Sequence, residues 1–412
     1  MKYGCIGEHL KHSFSKEIHN CLSDYQYELC EIPKDKLDDF MKRHDFNAIN
    51  VTIPYKEAVI PYLDYIDNAA KEIGAVNTIV NKDGRLYGYN TDFYGMRMLI
   101  AHAGIDFQNK KVAILGTGGT SKTAKAVSKS LSAREIITVS RTKNMDSITY
   151  EELYENHKDL DIIINTTPLG MFPNNFTRPI DITKFSKLSG VIDAVYNPLR
   201  TQLVTDAKNL SIKAEGGLYM LVAQGVLASE IFLDKKYDAG KLDEVFERLK
   251  SQKENIVLIG MPSSGKSTVG KEIAKRLGRD FYDTDELIEK KSGMTISQII
   301  TSMGEEIFRR IESDIVNELA TRTGIVIATG GGVILREKNI HALSQNGRIY
   351  FLDRPLKLLL PTKDRPLTST KEALTKKYNE RYTNYEKCAD VKIDASGDVD
   401  VVTKAVIGDF EK

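Results

Sequence analysis

The chain has no tryptophan, and only four cysteines and seven histidines among its 412 residues. Cys5, Cys21, Cys30 and Cys388 form no CxxC pair and stand at no zinc-like spacing with the histidines. That excludes a zinc ribbon and a thioredoxin-type redox motif. Free thiols point to a reducing setting, and so to the cytoplasm. No apolar run approaches the roughly 20 residues a membrane-spanning helix needs. The opening segment 1–15 lacks the apolar core of a secretion signal and reads as a strand and a turn. A net charge of +1 removes any broad electrostatic reason to expect nucleic acid or an anionic membrane as a partner. There is no internal repeat and no low-complexity tract. What remains is the composition of a soluble globular protein, long enough for two or three domains.

Short apolar runs alternate with helix-like segments throughout. The runs 47–53, 111–116, 135–140, 161–167 and 190–196 are examples. This rhythm predicts an α/β protein with parallel sheets and crossover helices. The polar segment 234–254 carries Leu242, Val245, Phe246 and Leu249 at helical spacing, so it predicts an amphipathic helix running into a linker at 251–254. After that point the strand–loop–helix pattern starts afresh at Ile256.

Two glycine loops, built to different patterns, each follow an apolar strand. The first is Gly116-Thr117-Gly118-Gly119-Thr120-Ser121. Its glycines let backbone N–H groups approach a dinucleotide pyrophosphate at a helix N-terminus. The next strand ends in Ser140-Arg141-Thr142. An NAD site places an acidic residue there, whereas an arginine accommodates a 2′-phosphate, so Arg141 argues for NADP(H). The second loop, Gly260 to Ser267, fits GxxxxGK[ST] in full. Its backbone would wrap the phosphates of ATP, Lys266 would reach the β/γ oxygens, and Ser267 would ligate Mg2+.

Upstream of the first loop lies a dense set of small polar residues around one lysine: Ser13 and Ser15, the run 50–56 ending in Lys56, Ala75-Val76-Asn77-Thr78, and Asn90-Thr91-Asp92. Hydride transfer to a ketone needs a proton donor for the developing alkoxide, and a lysine beside a carboxylate can supply it. Read locally, Lys56 is equally a solvated lysine and Asp92 a helix N-cap.

The segments NVTIPYK, GAVNT, the NTD at 90–92, GTGGTS, SRT and LVAQG, in that order from residue 1 to about 250, resemble the shikimate dehydrogenase family. The resemblance implies a substrate domain split around an NADP-binding Rossmann domain: 1–104 with 217–250, and 105–216. It implies Lys56 and Asp92 as the catalytic pair at the substrate's C3 oxygen. Ser13 and Ser15 would hold the substrate carboxylate with help from Tyr196, while Thr52, Asn77 and Gln224 would bind its other polar groups. The cofactor would lie on Gly116, Gly118, Gly119, Thr120, Ser121, Ser140, Arg141, Thr142 and Gly217. Ser140 stands where many relatives carry Asn.

In the second half, the strand 325–329 ends in Gly330-Gly331-Gly332, where an ordinary P-loop enzyme places a metal-binding Asp. Asp283 and Asp285, on one face of an extended chain, can supply the missing carboxylates. Arg309 and Glu312 lie one turn apart on one helix face, an arrangement also read as a solvated ion pair. These elements resemble the shikimate kinase family over 255–412. By that resemblance Asp285 binds the acceptor hydroxyls and acts as base, and Asp283 and Ser267 hold magnesium. Arg309 and Arg381 grip the substrate carboxylate, a task suited to bidentate guanidinium, and Gly331 lies against the ring. Gly260, Ser263, Ser264, Gly265, Lys266, Ser267 and Thr268 bind ATP, with Lys266 also catalytic. Arg365 is the lid arginine, in a lid that is short for the family and offers only Lys363 besides.

Together the resemblances imply a bifunctional enzyme acting on small molecules, 3-dehydroshikimate and then shikimate. A quinate-using dehydrogenase fused to a kinase for another small polyol is a competing reading. A nucleotide-sensing protein with one inactive half is another. Oligomeric state leaves no mark in the sequence.

Overall fold

A computed structural model describes residues 1–10, 14–23, 25–361 and 370–412. The chain divides into two units, Met1–Leu249 and Lys250–Lys412.

The first unit holds two sheets. One is built from β1 (Tyr3–Gly7), β2 (Tyr27–Glu31), β3 (Ala48–Val51), β4 (Tyr65–Ile66), β5 (Thr78–Lys82) and β6 (Arg85–Tyr89), in the order β2-β1-β3-β5-β6-β4. It is mixed, whereas the sequence rhythm predicts parallel pairing. β5 runs antiparallel to both β3 and β6. For β5 and β6 the reason is local: Asp83 and Gly84 both take positive φ (53° and 83°), the two-residue turn that joins antiparallel neighbours.

The other sheet is wholly parallel. Its strands are β7 (Lys111–Leu115), β8 (Glu135–Val139), β9 (Ile162–Asn165), β10 (Gly190–Asp193) and β11 (Lys213–Glu215), in the order β11-β10-β9-β7-β8. β7 and β9 are buried along their whole length, as expected of strands covered by helices on both faces. The order reverses at β7, so the crevice beyond its carboxyl end is where a doubly wound sheet binds its ligand. The glycine loop lies there.

Helix Thr91–His102 packs on helix Leu218–Leu233. They cross at Gly95, where a Cβ would stand 2.6 Å from the Met220 carbonyl oxygen. This crossing returns the late helix to the early sheet and closes the cavity between the lobes. Helix Lys241–Lys253 buries Val245, Phe246 and Leu249. It runs through most of the expected linker: Glu254 still donates its N–H to Lys250 O, and the next strand opens at Asn255.

The second unit has one parallel sheet of β12 (Asn255–Ile259), β13 (Phe281–Asp283), β14 (Val326–Ala328), β15 (Gly347–Asp353) and β16 (Val391–Asp394), in the order β13-β14-β12-β15-β16. β12 is buried at every position. Full burial of each large aliphatic is worth roughly 1.5–3 kcal/mol. The strand that carries the phosphate loop is thus among the most firmly held parts of the unit. No helix among the described residues is long and apolar enough to cross a membrane.

Candidate active sites

In the first unit a cavity of about 640 Å³ opens between the two lobes. Ser15, Thr52, Lys56, Asn77, Asp92, Tyr196 and Gln224 line it, together with Gly119, Thr120 and Gly217 from the nucleotide side. Seven expected substrate-side residues and three expected cofactor residues therefore share one wall. Ser13 lies outside the described residues.

Local chemistry explains the placement. Lys56 sits in the turn after β3, and its carbonyl accepts the N–H of Val76, which pins it to the 75–78 segment. Asn90, not Asp92, caps helix Thr91–His102: its Oδ1 accepts the Phe93 N–H at 3.2 Å. Asp92 is thereby released from capping, and Lys56 Nζ donates to its Oδ2 at 2.6 Å. The pair is half-buried, with side chains 24% and 16% exposed, so it is neither solvated nor sealed. Asn77 Oδ1 accepts from the Thr91 N–H at 2.7 Å, and its Nδ2 donates to Thr91 Oγ1 at 3.1 Å. Gln224 Nε2 donates to Leu221 O at 2.9 Å in its own helix, while its side chain still borders the cavity.

On the nucleotide side, Gly116 takes φ +107° at the end of β7. Gly118 and Gly119 are different: a Cβ on either would meet nothing within 4 Å. The protein itself does not demand glycine there, and the open space fits a pyrophosphate lying against the start of helix Gly119–Ser130. Ser121 is buried in the first turn of that helix. Gly217 has a packing reason, since a Cβ would stand 2.2 Å from Ala194 O. Arg141 and Thr142 are exposed just past β8. Ser140 Oγ lies 2.9 Å from Ser147 Oγ and donates to Thr142 O, which shapes that turn.

Sequence reasoning missed Asp193. It is wholly buried, and its Oδ1 accepts from Asn165 Nδ2 at 2.9 Å and from Val195 N–H at 3.0 Å; Oδ2 accepts from Thr201 Oγ1 at 2.7 Å. It holds the turn that presents Ala194 and Tyr196. Burial pushes its carboxyl up to about 6, against the pull of these hydrogen bonds.

In the second unit the loop after β12 folds around its own lysine. Gly260, Ser263 and Gly265 have φ of 151°, 65° and 95°, a succession that turns N–H groups inward to make an anion nest. Lys266 is buried, and its Nζ donates to Gly260 O at 2.9 Å and Met261 O at 2.8 Å. Ser264 is buried beside it, Ser263 Oγ donates to Leu360 O, and Thr268 is exposed on the helix that follows.

Ser267 Oγ donates to Asp283 Oδ2 at 2.5 Å. Asp283 also caps the next helix, its Oδ1 accepting from the Asp285 N–H at 2.9 Å. No cluster of three or more His, Cys, Asp or Glu that could hold a metal exists among the described residues. One hydroxyl and one carboxylate are what this turn could offer a metal, and so sparse a set fits magnesium, which keeps most of its water and shares phosphate oxygens.

Each position of the triple glycine is closely packed. A Cβ at Gly330 would stand 2.6 Å from Asp285 Oδ1 and 3.0 Å from Glu312 Oε1; one at Gly331 would meet Pro262, and one at Gly332 would overlap the Arg309 guanidinium. Asp285, Glu312 and Arg309 therefore converge on this turn. Arg381 Nη1 donates to Gly331 O at 3.0 Å, and the Tyr385 hydroxyl donates to the same oxygen.

The Arg309–Glu312 pair is not solvated. Nη1 donates to Glu312 Oε2 at 2.9 Å, and the side chains are 8% and 0% exposed. Burial raises the Glu312 carboxyl above its usual range, with Arg309 opposing. Its Oε1 and Arg309 Nε have no hydrogen-bond partner among the described residues. The sequence pairs Glu312 with Arg309 by i,i+3 spacing but gives it no role of its own at the site. Arg365 lies outside the described residues, as does Lys363.

The fold and sites define a dinucleotide-dependent oxidoreductase joined to a P-loop phosphotransferase. Comparison with known proteins makes both halves specific. The shikimate dehydrogenase substrate-binding domain model matches residues 5–79, and the shikimate kinase model matches 262–409. A shikimate dehydrogenase (NADP(+)) of Clostridium perfringens is 39% identical over 266 residues, covering 60% of this chain and 98% of that protein. The solved structure of shikimate dehydrogenase 1 from Peptoclostridium difficile is 37% identical with a TM-score of 0.56, covering 60% of this chain and 98% of that one. A chorismate mutase/shikimate 5-dehydrogenase fusion from Clostridium acetobutylicum is 35% identical with a TM-score of 0.57, over 60% and 96%. The chain belongs to the shikimate dehydrogenase family and carries a shikimate kinase domain in the same polypeptide.

Proposed function

We infer that the chain is a bifunctional enzyme of the shikimate pathway, using NADP(H) in its first unit and ATP with Mg2+ in its second. The first reduces 3-dehydroshikimate to shikimate; the second converts shikimate to shikimate 3-phosphate. The competing fusion with a different polyol kinase is not favoured, because the matching kinase model is that of shikimate kinase.

In the first reaction bound NADPH supplies the hydride and C3 of the ketone receives it. Lys56 donates the proton to the C3 oxygen, and Asp92 keeps the ammonium aimed and charged; the 2.6 Å pair on the cavity wall carries this reading. Thr52, Asn77 and Gln224 bind the ring's polar groups, and Ser13, Ser15 and Tyr196 hold the carboxylate. Arg141 would bind the 2′-phosphate, and the loop from Gly116 to Ser121 would receive the pyrophosphate. In the second reaction bound MgATP supplies the phosphoryl group. Asp285 takes the proton from the attacking C3 hydroxyl, Asp283 and Ser267 hold the metal, and Lys266 turns from the loop carbonyls to the phosphates. Arg309 and Arg381 hold the carboxylate; Arg365, which lies outside the described residues, would stabilise charge on the transferring phosphoryl group. The oxygen protonated in the first reaction is the nucleophile of the second.

The test is a pair of substitutions in the full chain. Lys56→Ala should cut NADPH-dependent reduction by at least about 10²-fold and spare phosphorylation of added shikimate, and Lys266→Ala should do the reverse. An activity that survives its own substitution removes the corresponding assignment.

A further inference from the structure

We propose that His19 is a positioning residue of the dehydrogenase, tying the helix that presents Ser15 to the strands that present Asn50 and Asn77. The proposal rests on reading the first-unit cavity as the substrate site. His19 is fully buried on helix Ser15–Leu22, one turn beyond Ser15 and on the same face. Its ring stacks on Tyr27, with centroids 3.9 Å apart at 7°, and on Phe232 at 5.6 Å. Nδ1 meets the Tyr25 hydroxyl at 2.5 Å.

Counting protons fixes the direction of the bonds. The Tyr237 hydroxyl donates to Leu22 O at 2.9 Å. Ser229 Oγ, 2.7 Å from Tyr237, must then donate to it. The Tyr25 hydroxyl donates to Ser229 Oγ at 3.0 Å. Having spent its one proton, Tyr25 can only accept from His19, so the imidazole carries hydrogen on Nδ1.

On the other side of the ring, the Tyr27 hydroxyl donates to Asn50 Oδ1 at 2.7 Å. Both Asn50 amide hydrogens are used, on Thr78 Oγ1 at 3.1 Å and Asn77 O at 3.3 Å. Nε2 is buried without a hydrogen-bond partner among the described residues. Burial drives the imidazole down to about 3 despite the opposing Asn50 amide, so the ring stays neutral.

A phenylalanine would fill this space without leaving a polar nitrogen unpaired. What histidine adds is one directed chain of bonds from half-buried Tyr237 to His19, with the Tyr27 and Asn50 links beside it. Such a chain selects a single arrangement where apolar packing alone would tolerate sliding. Asn50, Asn77 and Ser15, which it orders, all border the cavity.

The test uses the full chain carrying Tyr25→Phe, which removes one hydroxyl, and His19→Phe, which keeps the stack. Each should raise the KM for shikimate about tenfold while leaving kcat and the KM for NADP+ within about twofold, the signature of lost ground-state positioning. Phosphorylation of shikimate by the same molecules should not change. An unchanged KM for shikimate in folded variants, with only a lower melting temperature, would overturn the proposal. Should His19→Phe unfold the first unit, Tyr25→Phe carries the test alone. Lys56→Ala, run beside them, separates the two ideas: if it stays active the site reading fails, and if it is inactive while KM holds, only this inference fails.

Discussion

As proposed phosphate sites, the two glycine loops are built in opposite ways. The first supplies open space: Gly118 and Gly119 face nothing, and the loop holds no charge of its own. Arg141, the cation proposed to select the cofactor, stands one strand away. The second closes on itself, with three positive-φ residues wound around a buried lysine. The difference follows from where bonds break. A dinucleotide's pyrophosphate is a handle, and backbone N–H groups with a helix N-terminus suffice to hold it. In phosphoryl transfer the phosphates themselves react, so charge must already be in place as it develops.

The largest effects should appear where each loop or pair carries chemistry. Lys266→Ala should lower the phosphorylation rate by about 10²- to 10³-fold, in line with loss of a preorganised charge. Lys56→Ala should lower reduction by about 10²- to 10⁴-fold, as for a general acid. Steady-state rates for both activities of each variant check this.

Ion pairs sharpen the comparison. Removing the Arg309 side chain strands the fully buried Glu312, and breaking such a pair costs about 3–5 kcal/mol. Lys122, which donates to Glu57 at 2.7 Å across the first unit's lobes, is half exposed, and its loss should cost under about 1 kcal/mol. Denaturant melts of Arg309→Ala and Lys122→Ala would sink the argument if the two shifts were equal. Arg141→Ala should raise the KM for NADP+ about tenfold and leave that for NAD+ nearly unchanged, because only the 2′-phosphate loses its partner. Equal effects on both would remove Arg141 from the 2′-phosphate.

The smallest effect lies in pH. His19 titrates near 6.5 unfolded and near 3 folded, so the first unit loses stability as pH falls below about 6.5. Asp193 has the opposite sense: raised from 3.8 to about 6, it gives stability at low pH that is lost as pH rises toward 6. The two offset each other. Asp193→Asn removes the offset, and its stability should fall more steeply than wild type between pH 6 and 4, by a difference on the order of 1–3 kcal/mol. Parallel stability curves would contradict it.

Motifs made much of this legible. The strand–loop–helix grammar of both loops and the amphipathic helix before the second unit depend on neighbours in sequence. The sequence predicts Asp283 and Asp285 on one extended chain; instead Asp283 ends its strand and caps the helix that carries Asp285. What stayed hidden depends on neighbours in space. Asn90 rather than Asp92 caps its helix; the resemblance offers Lys56 and Asp92 as a pair, but only the fold shows the two side chains in contact. The spacing of Glu312 to Arg309 leaves a solvated pair and a site pair both open until the helix is seen to bury Glu312 against Gly330. Asp193 and His19 belong to no motif; their roles come from complete burial beside groups distant in the chain. The antiparallel strands were betrayed only by an Asp-Gly turn.

The most direct measurement follows both cofactors in one reaction, with purified full-length chain, 3-dehydroshikimate as the only acceptor, NADPH and MgATP. ADP should form only when NADPH is present, after a lag, and the two should approach equal amounts. ADP released without NADPH, or NADPH consumed with no ADP following, would contradict an enzyme whose second site uses the product of its first.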